Sequence, residues 1–134
     1  MERSQALSVP VKMLAAVGDA AVLIAFAAIG RSSHHAGDGG PVLGTLGTAA
    51  PFLAGWFLAG ILGGAYRDRA FATRGESVRA VLRSWLSGCL VGCGIRSATE
   101  HHLAPPSFVA IALTFNLALL LGWRAVLIRA LPKR

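Results

Sequence analysis

The chain has 134 residues, of which 54% are hydrophobic and only 14% are charged, and its mean hydropathy is +0.61. A soluble domain of this length buries too small a share of its surface to hide so much apolar material. The formal net charge of +7 does not indicate nucleic-acid binding, because the basic residues flank apolar runs and form no basic stripe with interleaved aromatics. Composition therefore predicts a membrane protein whose partner is the lipid bilayer.

The first span is predicted at about residues 11–30, long enough to cross a hydrocarbon core of roughly 30 Å. Arg3 and Lys12 precede this run, and Ala25-Phe26-Ala27 fits the small-x-small pattern of a signal-peptide cleavage site. Asp19 lies inside the run, whereas the apolar region of a signal peptide is uninterrupted. We therefore expect a retained span and no cleavage.

The second span is predicted at about residues 50–66, with Pro51 in its first turn, where the missing N–H costs nothing. The preceding apolar residues 42–48 either lie at the membrane interface or begin this span. Small residues recur at every fourth position and let helices approach closely in lipid, which favours association with another helix. They form two rows: Gly55, Ala59 and Gly63, and Gly60 and Gly64.

The third and fourth spans are predicted at about residues 78–95 and 107–128. The third is two-sided, and we expect its leucines to face lipid and its small and polar residues to face the protein. The leucines are Leu82, Leu86 and Leu90; the small and polar residues are Ser84, Ser87, Gly88, Cys89, Gly92 and Cys93. The i, i+4 spacing of the two cysteines does not favour a disulfide within one helix, so packing is their expected role.

Charge predicts the orientation. With four spans, one side of the membrane receives eleven basic residues and the other receives only Arg31 and Arg96. The positive-inside rule then places both termini in the cytoplasm and the protein in the cytoplasmic membrane as a multi-pass protein. Tyr66, Trp85 and Trp123 are predicted at the cytoplasmic ends of their spans, as aromatic belt residues. No alternating pattern indicates a barrel, so the fold class is an all-α, four-transmembrane-helix bundle.

The two halves share landmarks that suggest a parallel duplication of a helical hairpin. Ile29-Gly30-Arg31-Ser32 corresponds to Gly94-Ile95-Arg96-Ser97, and a His-His pair follows in each half. Coincidence at helix ends is the alternative, because Gly, Arg and aromatic residues are common there and the connectors differ in length. Under duplication, the pseudo-twofold axis runs along the membrane normal.

Asp19 is the first candidate for a buried charge or relay. An ionised Asp at mid-helix costs roughly 2.5–3.5 kcal/mol on insertion, so we expect it to be protonated or paired. Arg83 and Arg124 are the candidate partners, and Asn116 is expected to hydrogen-bond across helices. Two interpretations stay open: a structural ion pair that fixes helix register, or a carboxylate that binds a proton or cation.

A second group of candidate ligands lies on the predicted outer rim, beside Asp38 and Glu100. Imidazoles from two connectors have the chemistry to bind zinc or copper, but their spacing matches no specific metal motif. The alternative for the histidines is that they are solvated or lie at headgroup level. The arginines are expected to reach lipid phosphates, with binding of an anionic ligand as their alternative role. The candidates are Arg31, His34, His35, Arg96, His101 and His102. The sequence predicts no cofactor and no catalytic residue, since it contains no phosphate loop, nucleophile elbow or haem-attachment motif.

The landmarks together resemble a family. They are the acid in span one and the segments Phe26…Ile29-Gly30-Arg31-Ser32-Ser33-His34, Pro51-Phe52-Leu53-Ala54-Gly55-Trp56, Arg96, Pro106…Phe108-Val109 and Leu121-Gly122-Trp123-Arg124. From about Leu14 to Arg129 they look like the uncharacterised prokaryotic membrane family "domain of unknown function 3054". The resemblance implies a four-span membrane protein of bacteria or archaea, and it implies no activity or ligand.

Three functional hypotheses follow. The first is a non-enzymatic subunit, assembly or scaffold module that packs against itself or a larger membrane complex, since little chain lies outside the spans. The second is a small oligomeric transporter or channel for a proton, ion or small solute, with Asp19 on its path. The third is a membrane enzyme or metal-handling protein that uses the outer histidines.

Overall fold

The computed structural model describes residues 8–34 and 40–132. It contains four long α-helices and one short 3-10 turn in these ranges, and no strand. The helices are α1 (Val9–His34), α2 (Pro41–Gly63), α3 (Arg74–Glu100) and α4 (Pro106–Ala130), and the turn η1 (Asp68–Phe71) joins α2 to α3. All four helices are long and apolar enough to cross a membrane, which confirms the predicted fold class.

Local sequence signals set the helix ends. Gly64 adopts a left-handed conformation with φ 82° and ends α2, as a glycine just past a helix commonly does. Thr73 caps α3, because its hydroxyl accepts a hydrogen bond from the Glu76 N–H at 3.2 Å. A proline, Pro106, begins α4, as does Pro41 for α2. α1, α3 and α4 extend beyond the predicted spans at both ends, whereas α2 begins before its predicted span and ends at Gly63, short of the predicted end at residue 66.

The prediction that Pro51 lies in the first turn of the second span is wrong. Pro51 lies inside α2, because the helix begins at Pro41. The apolar residues 42–48 therefore begin the span, which was one of the two options for them. The carbonyl that Pro51 leaves without its helical N–H donor is that of Gly47, four residues earlier. Pro51 itself is buried against α3, where its own carbonyl lies 3.1 Å from the position of a Cβ added at Gly92.

The helices form a closed ring in which each packs on its neighbours in chain order, and α4 packs on α1. The closest approach is between α2 and α3, where a side chain at Gly55 would collide with the Gly88 carbonyl oxygen. Gly63 similarly faces Ser84. The small-residue row Gly55, Ala59 and Gly63 is thus used inside the bundle and not for contact with another protein.

The core lies between the four helices and centres on two tryptophans. Trp56 and Trp85 are fully buried with ring centroids 6.2 Å apart, and Trp85 Nε1 donates to the Leu113 carbonyl at 2.9 Å. The prediction that Trp85 belongs to an aromatic belt is wrong, because it faces α4 and not the membrane interface. Leu86 and Leu90 are 47% and 70% exposed, which agrees with the predicted lipid-facing stripe, and Leu82 is half-buried. The prediction that Ser87 faces the protein is wrong, because its side chain is exposed.

The buried rows of α1 and α3 have the same register relative to Arg31 and Arg96. Each row recurs every fourth residue, and the next step reaches the arginine. The rows are Ala15, Asp19, Leu23 and Ala27 in α1, and Ala80, Ser84, Gly88 and Gly92 in α3. A duplicated hairpin predicts this equivalence, and the duplication stays a prediction.

Candidate functional site

Asp19 is fully buried and its carboxylate is held by Arg124. Arg124 Nε donates to Oδ1 at 3.0 Å, and Nη2 donates to Oδ2 at 2.6 Å. The Tyr66 hydroxyl donates a third hydrogen bond to Oδ2, also at 2.6 Å. Bidentate Arg–carboxylate pairs are stronger and more directional than single contacts. The charge of Asp19 is therefore balanced inside the bundle by a partner on α4.

Arg124 is 1% exposed and its remaining contacts come from the segment after α2. Its Nη1 donates to the Ala65 carbonyl at 3.1 Å. Its guanidinium carbon lies over the Tyr66 and Phe71 rings, at 5.1 and 5.0 Å from the centroids. Aromatic faces and a backbone carbonyl thus complete the environment of a buried cation. One side chain of α4 fixes both α1 and the α2–α3 connection.

Tyr66 connects this pair to α2. Its hydroxyl accepts a hydrogen bond from Trp56 Nε1 at 2.9 Å while it donates to Asp19. Burial, and secondly the Asp19 carboxylate, raise the pKa of the Tyr66 hydroxyl. The hydroxyl therefore stays protonated and continues to donate to Asp19 at any physiological pH. We call Asp19, Arg124, Tyr66 and Trp56 the buried polar layer.

The buried polar layer lies toward one end of the bundle. Tyr66 and Ala65 directly follow α2, whose 23 residues span about 35 Å, slightly more than a hydrocarbon core. The layer is therefore about one membrane thickness from Pro41, near the edge of the hydrocarbon region. We call the end of the bundle that carries η1 and most of the basic residues the basic end. Between this end and the buried polar layer lie apolar residues: Ala15, Ala70, Phe71 and Leu127.

An ion pair joins η1 to α1 at the basic end of the bundle. Lys12 Nζ on α1 lies 2.8 Å from Asp68 Oδ1 at the start of η1. A second group of charges, in which Glu76 contacts Arg69 and Arg79 at 3.1 and 3.2 Å, joins η1 to α3. The turn thus covers the buried polar layer with Phe71 directed at Arg124.

The structure separates the two arginines that were candidate partners of Asp19. Arg124 contacts it, whereas Arg83 is exposed on α3, because the neighbouring Ser84 and Trp85 occupy the inward face. Asn116 is fully buried, but its Nδ2 donates to the Ala112 carbonyl of its own helix at 3.0 Å. The expected hydrogen bond from Asn116 to another helix is therefore wrong for the residues that the structure describes, and Asn116 Oδ1 has no partner among them.

The predicted outer rim contains two arginines in different settings. The Arg31 guanidinium lies against Gly44 of α2, where any side chain would collide with it. Arg96 Nη2 pairs with Glu100 Oε1 at 2.7 Å, and its guanidinium carbon lies 4.8 Å from the centroid of the Phe108 ring. Since Asp19 and Arg31 are twelve residues apart on α1, about 18 Å of helix separates the rim from the buried polar layer.

The histidines of the rim are only partly described. His101 ends α3 in a left-handed conformation with φ 56°, and His102 Nε2 lies 3.5 Å from Glu100 Oε2. His35 and the side chain of His34 lie outside the described residues. Within the described ranges, no group of three or more His, Cys, Asp or Glu side chains could hold a metal ion. A metal at this rim stays a prediction.

Sequence reasoning missed two members of the buried polar layer, Tyr66 and Trp56. Tyr66 was assigned to the aromatic belt, and Trp56 was assigned no role. The useful signal was Gly63-Gly64, because a glycine pair at a helix end predicts a C-terminal cap. Such a cap places Tyr66 in the turn that follows the helix, from which its hydroxyl reaches inward.

The family model described as "Protein of unknown function (DUF3054)" matches residues 16–127. This range covers Asp19, Tyr66 and Arg124, and it covers the rim from Arg31 to Arg96. No curated protein and no solved structure matches the chain. The match extends over most of the sequence, and the chain therefore belongs to the DUF3054 family of proteins of unknown function.

Proposed function

We propose that this protein is a non-enzymatic structural module of the cytoplasmic membrane, a subunit or scaffold with both termini on the cytoplasmic side. The observation that carries the proposal is the enclosed pair of Asp19 and Arg124. Both carboxylate oxygens and all three guanidinium nitrogens have protein partners. A carboxylate saturated in this way is built to hold helices in register.

The connectivity of the buried polar layer supports a rigid module. Asp19 belongs to α1, Trp56 to α2, Arg124 to α4, and Tyr66 to the connection before α3. Trp56 packs on Trp85 of α3, so that one continuous set of contacts joins all four helices. Fully satisfied polar networks in a low-dielectric interior specify a single arrangement.

The outward face of α4 supports assembly with a further transmembrane helix. Small residues recur there at every fourth position and are exposed, and a Cβ added at Gly122 would meet no atom of another part of the bundle within 4 Å. The residues are Ala110, Thr114, Ala118 and Gly122. In lipid, such a row permits close backbone contact between helices. The row Gly55, Ala59 and Gly63 of α2 is already occupied within the bundle, and the exposed row of α4 is the one that we assign to a second copy or another subunit.

Association in liposomes tests the assembly function. Donor- and acceptor-labelled copies are reconstituted in phosphatidylcholine vesicles, and energy transfer is measured as the protein-to-lipid ratio falls. Ala118→Leu with Gly122→Leu is expected to weaken association about tenfold or more. Ala21→Leu with Ala25→Leu, on the exposed face of α1, is the matched control.

Purification from native membranes gives an independent result. A stoichiometric partner that is lost with the α4 variant supports a subunit of a larger complex. A monomer at every protein density, with no co-purified partner, would contradict the assembly function. Accessibility of a terminal tag in sealed vesicles tests the orientation, which rests on the excess of basic residues at one end.

Transport through an oligomer, with Asp19 on the path, is the second candidate. The observation that favours it is a set of buried oxygens without hydrogen-bond partners within the described chain: Ser77 Oγ, Ser84 Oγ and Asn116 Oδ1. Such groups are costly in a membrane interior, where they commonly mark polar routes.

A paired apolar replacement separates the two functions. Asp19→Leu with Arg124→Met removes both charges together, which buried ion pairs tolerate far better than loss of one partner. If the wild-type protein carries protons into dye-loaded liposomes and the folded double variant does not, transport is supported. Equal flux from both proteins excludes a transport role for Asp19.

A further inference from the structure

Arginines and leucines share the outward stripe of α3. Arg79, Arg83, Leu86 and Leu90 follow one another at intervals of three or four residues, which place them on one face of a helix. All four are exposed, and the opposite face of α3 contributes Ser84, Trp85 and Gly88 to the bundle interior. A face that bears leucines on the outside of a membrane bundle faces lipid.

The depth of the two arginines follows from the packing of α3 on α2. Ser84 faces Gly63, the last residue of α2, so Arg83 lies at the level where the hydrocarbon region ends. Arg79 is one turn, about 6 Å, further toward the basic end, and Leu90 lies about 10 Å from Arg83 in the other direction. The stripe therefore runs from headgroup level into the acyl-chain region.

The protein balances the charges on this stripe only in part. Arg79 and Arg83 are an i, i+4 pair of like charges, which destabilises an isolated helix. Glu76 contacts Arg79 but shares its charge with Arg69. No carboxylate among the described residues pairs with Arg83. An anion supplied from outside the chain would relieve this repulsion.

We propose that the outward stripe of α3 is a binding site for an anionic phospholipid. The guanidiniums of Arg79 and Arg83 bind the headgroup phosphate, since planar guanidiniums match phosphate oxygens in bidentate fashion. One acyl chain lies along Leu86 and Leu90. The occupant is a lipid and not a soluble anion, because the leucines continue the same stripe into the hydrocarbon.

Other exposed arginines at this end offer a matched control. Arg67 and Arg74 are exposed, but Arg74 lies nine residues before Arg83 and thus on the opposite side of α3 at 100° per residue. Arg67 belongs to the turn after α2. Removing this pair changes the net charge of the basic end by the same amount as removing Arg79 and Arg83.

Native mass spectrometry of the full chain, released from detergent micelles, tests the site. The protein is titrated with dioleoyl phosphatidylglycerol and, separately, with dioleoyl phosphatidylcholine. Phosphatidylglycerol is expected to bind at least about tenfold more tightly. Arg79→Gln with Arg83→Gln should weaken its binding about thirtyfold, whereas Arg67→Gln with Arg74→Gln should change it by less than about threefold.

Equal losses in the two double variants, or no loss in either, would overturn the proposal. So would full competition by millimolar inorganic phosphate, which would show a site for a soluble anion, or occupation of the stripe by a protein partner that excludes the lipid. Arg79→Lys with Arg83→Lys preserves charge and helix. It is expected to bind phosphatidylglycerol several-fold more weakly than wild type, and wild-type binding by it would also count against a guanidinium site.

Discussion

Two arginine–carboxylate pairs with similar geometry lie toward opposite ends of the bundle. Arg124 pairs with Asp19 at 2.6 Å, and Arg96 pairs with Glu100 at 2.7 Å. Each guanidinium also lies over an aromatic ring, Tyr66 and Phe71 for the first and Phe108 for the second. The local chemistry of the two pairs is thus almost the same.

Their surroundings differ, and the difference assigns their roles. The side chains of Arg124 and Asp19 are 1% and 0% exposed, whereas those of Arg96 and Glu100 are 23% and 35% exposed. The buried pair joins α1 to α4, but the rim pair connects successive turns of α3. A buried pair is costly to break because a bare charge is left behind, while an exposed pair exchanges its partner for water. Only the buried pair can therefore hold two helices in one fixed arrangement.

Removing the cation of the buried pair has the largest expected effect. Arg124→Gln leaves Asp19 buried with Tyr66 as its remaining donor, and we expect a loss of about 3–5 kcal/mol in the free energy of unfolding. Equilibrium unfolding by dodecyl sulfate in mixed micelles measures it. Arg83→Gln, on the outside of α3, is the control and should stay within about 0.5 kcal/mol of wild type. An Arg124→Gln variant with the unfolding free energy of wild type would show that the pair does not hold the helices in place.

Removing only the tyrosine hydroxyl tests whether the layer acts as a network. Tyr66→Phe deletes a donor to a carboxylate and leaves Trp56 Nε1 without its acceptor. We expect a loss of about 1.5–3 kcal/mol in the same unfolding measurement. Ser87→Ala, which removes an exposed hydroxyl from α3, is the comparison variant. An equal, small effect of both variants would contradict a network role for Tyr66.

The fold could be predicted from sequence because it rests on patterns of composition. Apolar runs of membrane length predict the four helices, and Leu86 and Leu90 mark the outward side of α3. The inward side is marked by most of the small residues predicted to lie there, namely Ser84, Gly88, Cys89, Gly92 and Cys93, but not by Ser87. Helix boundaries were harder. Pro51 predicts a helix start, but a proline in a membrane protein is also tolerated inside a helix. Pro51 lies buried inside α2, which begins at Pro41.

The candidate site could be predicted only in part. An acid inside an apolar run must be neutralised, which directed attention to Asp19 and to basic residues at similar depth. Depth alone did not separate Arg124 from Arg83, because that choice depends on helix rotation. Tyr66 could not be found in this way, since an aromatic at a span end is typical of the interface and only the left-handed turn at Gly64 directs it inward.

High pH tests the buried polar layer through the ionisation of the Tyr66 hydroxyl. The pKa of Tyr66 is raised in the folded protein by burial and by Asp19, so above pH 10 the unfolded tyrosine loses its proton while the folded one keeps it. Unfolding then releases a proton, and stability falls by up to about 1.4 kcal/mol per pH unit. The difference in unfolding free energy between wild type and Tyr66→Phe should be constant from pH 7 to 9 and shrink above pH 10. A difference that is unchanged up to pH 11 would mean that Tyr66 ionises freely in the folded state.

The rim pair should give the smallest effect. Arg96→Gln breaks an exposed i, i+4 pair worth about 0.3–0.5 kcal/mol and a contact with Phe108 worth about 0.5–1 kcal/mol, so the total loss should stay near 1 kcal/mol. A double-mutant cycle with Glu100→Gln isolates the pair itself, and its coupling energy should not exceed about 0.5 kcal/mol. The corresponding cycle with Asp19→Asn and Arg124→Gln should give a coupling several times larger, because each single variant there leaves a buried charge without its partner. Equal couplings would mean that burial does not distinguish the two pairs, and the assignment of the structural role to Asp19 and Arg124 would fail with it.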